Sequence, residues 1–124
     1  KLDMEPERIM QDFIEGYRDG RIVEEGDPRL PSIMELDRLT HDEPEVAWGL
    51  ILKIIEHDQS THVVEMLAAG PLEDLIEHHG ARFIDRIEAR AREDAAFRKV
   101  LGGVWESNTP DVWSRVEKAR SAAW

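Results

Sequence analysis

The sequence predicts an all-α fold, and three observations carry that prediction. Apolar residues recur at helical spacing along nearly the whole chain. No window of strand length shows Val, Ile or Thr alternating with polar residues. Pro6, Pro44, Pro71 and Pro110 each stand at the opening of an apolar-periodic segment, where a missing backbone N–H costs a helix nothing.

About eight helices follow in order. The first spans about Pro6 to Tyr17, with Glu5 and Glu7 at its positive end and Ile9, Met10, Phe13, Ile14 and Tyr17 as one apolar stripe. Residues 18–31 carry two glycines and two prolines, and read as a long surface loop docked by Ile22, Val23 and Leu30. A short helix runs from Ser32, its cap, to Leu39. The next, about Glu43 to His57 behind an Asp42 cap, is apolar around much of its circumference, as a central helix contacted on two sides would be.

Ser60 caps a segment reaching Ala69, and Gly70-Pro71 then makes a corner into a helix ending at His79. Gly80 reads as the left-handed residue after that helix, and Ala81 to about Arg92 forms another. Asp94 caps a short helix to Leu101, and Thr109-Pro110 opens the last. The turns between them are short, so sequential helices pack as hairpins, an arrangement compatible with a short superhelix. Residues 1–124 read as a single domain, the commonest size for one core.

Composition narrows the function. The 124 residues include 27 acidic and 16 basic side chains, a formal net charge of −11, and no cysteine. Disulfides, thiolate metal sites and cysteine nucleophiles are thereby excluded, which suits a reducing, cytoplasmic setting. The longest apolar run, around Leu50-Ile51-Leu52, is far too short to cross a bilayer. The acidic balance disfavours nucleic acid and anionic membranes and favours a basic protein partner.

Three stretches also carry a resemblance: Asp42-Glu43-Pro44-Glu45-Val46-Ala47-Trp48; Ala68-Ala69-Gly70-Pro71-Leu72-Glu73-Asp74-Leu75 with His79-Gly80; and Phe97-Arg98-Lys99-Val100-Leu101-Gly102-Gly103-Val104-Trp105. Over about residues 43 to 116 the chain resembles a family of small bacterial helical proteins known only as a domain of unknown function. The resemblance implies a bacterial, helical, cytoplasmic protein, and no activity, cofactor or catalytic residue comes with it.

The chemistry-bearing residues are sparse. No histidine pair has the i, i+3 or i, i+4 spacing of a metal site, so no metal and no cofactor is expected. Glu73 and Glu77 lie at i, i+4 with His78 beside them, from which a carboxylate base and an orienting imidazole can be drawn. With so many acids such pairs also arise by chance.

Charge layout says more. Residues 1–81 hold 20 acidic and 7 basic side chains, whereas residues 82–99 hold 6 basic and 4 acidic. In that basic block Arg82, Arg86 and Arg90 share one helix ridge and repel one another unless countered. The counter-charge comes either from the chain's own acids, helped by Asp85 and by Glu88 placed for Arg92, or from a partner. Of four tryptophans, Trp113 reads as core and Trp105 as packed at the core edge, while Trp124 is a candidate interface residue.

The expected function is a non-enzymatic protein–protein interaction module whose acidic surface suits a basic partner, as in toxin neutralisation or regulation. Arg82, Arg86, Arg90 and Trp124 are its candidate contacts. The competing expectation is a small-ligand-binding protein or hydrolase using Glu73, Glu77 and His78.

Overall fold

The structure, a computed structural model, describes residues 4–124. Its elements are α1 (Pro6–Tyr17), α2 (Leu30–Asp42), α3 (Pro44–His57), α4 (Thr61–Leu67), one π-helical turn (Ala68–Leu72), α5 (Glu73–Glu93), α6 (Ala95–Leu101) and α7 (Pro110–Ala119). The class is all-α, with no strand among the described residues.

Helix count is where the sequence reading needs correcting. From Thr61 to Glu93 the chain runs on as one rod with a π turn and a kink, so six rods replace the eight expected helices. Gly70-Pro71 makes no corner. Pro71 lacks an N–H and its ring crowds the carbonyl four residues back, and the chain widens to a π turn there instead of stopping. Gly80 is not a left-handed terminator either, because positive φ is confined to Gly20, Gly26 and Asn108 among the described residues. The rod only kinks, at His79 (φ −137°, ψ 20°).

Other boundaries move for local reasons. Helix α2 begins at Leu30, with Pro31 in its first turn, so the loop shortens to residues 18–29. Ser32 is therefore inside the helix, buried, and donates its hydroxyl to Asp12 of α1 at 2.5 Å. Glu43, not Asp42, is the residue ahead of α3. Two predicted caps are present: Asp94 accepts from the Ala96 and Phe97 N–H groups, and Thr109 from that of Val112. In the loop, Val23 docks against Gly16 but Ile22 is exposed.

One hydrophobic cluster joins the helices. Helix α3 is central, meeting α1, α2, α5 and α6. Trp48 on α3 stands 5.7 Å from the Phe83 ring of α5 and 5.6 Å from the Phe97 ring of α6. Helix α7 skips α6 to lie along α5, and α1 reaches α4.

Candidate functional site

The arginine ridge exists and is neutralised from within. Glu45, in the first turn of α3, takes Arg86 in two hydrogen bonds of 2.7 Å and Arg82 in one of 2.9 Å. The bonds from Arg86, and after them the bond from Arg82, pull the Glu45 carboxyl down to about 2 against the opposing effect of desolvation. Arg86 also lies 4.2 Å above the Phe83 ring. Arg90 bonds Asp94 and lies 3.7 Å from Glu56. Asp85 and Glu88, expected to help the ridge, both turn to Arg115 of α7, at 2.7 and 2.5 Å. For Arg82 and Arg86 the countering charge comes from α3, a long-range contact that no spacing within α5 reveals, whereas Arg90 also has a local i, i+4 partner in Asp94.

The Glu73, Glu77 and His78 set does not converge. Glu73 Oε1 accepts the Trp105 backbone N–H, and Glu77 Oε1 accepts that of Asn108, each at 3.0 Å. Asn108, at φ 69°, donates its side-chain amide to the Ile76 and Glu77 carbonyls. These contacts bind the segment between α6 and α7 down onto α5. His78 points elsewhere, its ring 4.3 Å from that of His41 on α2.

A polar cluster absent from the sequence reading lies between α2 and α5. Asp37 and Asp74 face one another and line a pocket of about 110 Å³ with Phe13, Tyr17, Met66 and the π turn. Burial, and after it the Asp37 charge, raises the Asp74 carboxyl above its ordinary value. His41 is raised as well, first by its hydrogen bond to the Asp37 carbonyl and then by the surrounding carboxylates, with burial opposing. Asp37–His41 and Asp74–His78 repeat one i, i+4 spacing on facing helices. That repeat was the available sequence signal, though nothing local says the two pairs meet.

The tryptophans divide. Trp48 and Trp113 are buried. Trp124 is 51% exposed; its indole Nε1 donates to the Lys99 carbonyl at 2.6 Å and its ring covers Gly103. A Cβ on Gly103 would lie 2.4 Å from that ring, so the diglycine accommodates the chain's last residue. Trp105 is not at the core edge but 77% exposed, because Glu73 holds its backbone on α5 and turns the side chain outward. Trp105, Trp113 and Trp124 line one open groove of about 360 Å³, bordered by Glu106, Glu117 and Arg120.

Among the described residues no group of three or more His, Asp or Glu side chains could hold a metal ion, and no helix is long and apolar enough to cross a membrane. The fold and its surface define an all-α protein built around α3 and one long kinked rod, with a tryptophan-lined groove on its surface. The chain belongs to a family of unknown function, DUF6869, whose model matches residues 24–124. The match takes in the whole of α2 and the C-terminal tryptophan as well as the segment that carried the resemblance. No curated protein and no solved structure shows significant similarity to it.

Proposed function

We propose that this protein is a non-enzymatic interaction module that engages a basic protein partner through the groove of Trp105 and Trp124. The observation that carries the reading is Trp105. A large indole 77% exposed beside a second, half-exposed one is costly to leave in water, and tryptophan is the residue most enriched at the energetic centres of interfaces. Glu106 and Glu117 at the rim suit a lysine or arginine, and indole faces attract the same cations. The surplus of acids over residues 1–81 would steer a basic protein toward the chain. Masking a basic protein, in toxin neutralisation or regulation, is the biological form such binding takes. A cytoplasmic setting goes with it, supported by the cysteine-free sequence.

The hydrolase alternative has less support, since Glu73 and Glu77 are already engaged with backbone N–H groups. The test is a titration with a short oligo-arginine peptide followed by tryptophan fluorescence. Saturable change is expected, weakening as salt is raised, and about thirtyfold weaker in Trp105→Ala. A response identical in Trp105→Ala, or no saturable response, would overturn the reading.

A further inference from the structure

A second surface, independent of the tryptophan groove, is marked by arginines that no carboxylate of the described residues bonds. The sequence has twelve arginines among 27 acids. Ten of them meet a carboxylate within the molecule, the Arg82, Arg86 and Arg90 ridge included. Among the described residues the two that do not are Arg92, at the end of α5, and Arg98, on α6. In so acidic a chain unpaired arginines have abundant candidate partners, so two left without one are notable. Both line the same concavity.

That concavity is an open groove of about 450 Å³ where α5, α6 and α7 meet. Arg92, Arg98, Arg115 and Lys118 line it with one carboxylate, Glu88, and Ala91 and Ala119 supply the apolar part. Lys118, in the last turn of α7, also has no carboxylate partner among the described residues. Two of the cations are fixed in place. Arg98 donates to the Ala91 carbonyl at 2.5 Å, and Arg115 is held by Glu88 and Asp85. Arg92 and Lys118 are exposed and their heads are free to close on a ligand. Two anchored guanidiniums and two free cations around a small apolar surface match a compact dianion carried on an organic body. Arginine forks are suited to phosphate oxygens, and lysine supplies a point charge. The volume lies in the range of small-molecule sites, roughly 300–1,000 Å³. The acidic remainder of the chain does not abolish such a site, because salt screens charges beyond about 8 Å at physiological ionic strength.

We infer that this groove binds a phosphate monoester of a small molecule, with Arg92, Arg98 and Lys118 taking the phosphoryl oxygens and Ala91 and Ala119 supporting the attached group. The test uses the full chain and calorimetric titration with two probes, inorganic phosphate and adenosine monophosphate. Saturable binding of either at millimolar concentration or below is expected. Tighter binding of the monophosphate identifies a phosphorylated metabolite as the natural ligand class, and tighter binding of phosphate identifies the free anion. Arg92→Glu and Lys118→Glu should each weaken binding about tenfold or more, with melting temperature unchanged. Lys53→Glu changes net charge equally but lies outside the groove, and should have little effect. Failure of both probes to saturate overturns the inference, and so does an equal loss in Lys53→Glu, which would mean diffuse attraction rather than a site. Because Trp105 takes no part in this groove, its loss leaves the result intact and separates the two surfaces.

Discussion

Replacing Gly80 by alanine is expected to destabilise the protein, against the usual rule for a glycine inside a helix. Alanine normally gains up to about 1 kcal/mol at such a position, because glycine loses more backbone freedom on folding. Gly80 has no room for the methyl. A Cβ there would stand 2.8 Å from Asn108 Nδ2 and 2.9 Å from Val112 Cγ1. Neither neighbour yields easily. Asn108 is held by its two bonds to the Ile76 and Glu77 carbonyls, and Val112 is buried against the core on α7. Overpacking of this kind costs about 1–3 kcal/mol. Set against a full propensity gain, the net loss is about 0–2 kcal/mol, a fall in melting temperature of up to about 10 °C for a domain of this size. Gly49, in the middle of α3, is the internal control. It is exposed and nothing lies within 4 Å of its Cβ position, so Gly49→Ala should raise stability by about 1 kcal/mol. Urea and thermal denaturation of the two variants against the parent measure both. If Gly80→Ala is as stable as Gly49→Ala, α7 is not seated on α5 at this point, and the groove between α5, α6 and α7 loses its basis.

Other substitutions test the electrostatics and the caps. Asp74 titrates above its ordinary value, so its folded form prefers the proton, and its contribution to stability is present at low pH and lost as pH rises. Asp74→Asn should therefore raise the melting temperature at pH 7, and the gain should vanish in acid. Glu45 has the opposite sign: held down to about 2, it stabilises above the ordinary carboxylate range and loses that effect as pH falls from about 4.5 to about 2. Glu45→Gln should lower stability at pH 7 and flatten the acid limb of a stability–pH curve. Asp94→Ala removes a cap that accepts two backbone N–H groups and should cost about 1 kcal/mol by urea denaturation.

What was legible in the sequence was local. Helical periodicity gave the class, and the caps at Asp94 and Thr109 were readable because a cap is a matter of neighbouring residues. Gly70-Pro71 and Gly80 misled for the same reason. Each is a local stop signal: at the first the chain widens to a π turn and continues, and at the second it kinks at His79 without a left-handed residue. Within the basic block of residues 82–99 the ridge of Arg82, Arg86 and Arg90 meets carboxylates of the chain, while Arg92 and Arg98 form no ion pair among the described residues. Which cations stay uncountered depends on Glu45 and Arg115, 41 and 27 residues away from the side chains they engage. The exposure of Trp105 likewise follows from a bond to Glu73, 32 residues earlier, that no spacing rule anticipates.

The proposed binding surface for a basic partner is the groove of Trp105 and Trp124. Each of the four tryptophans has one indole N–H, so a heteronuclear NMR titration with oligo-arginine reads the surface directly. The indole resonances of Trp105 and Trp124 are expected to shift together and saturate, while that of buried Trp48 stays fixed. Backbone shifts confined to the Asp37 and Asp74 pocket, with all four indole signals unmoved, would contradict it.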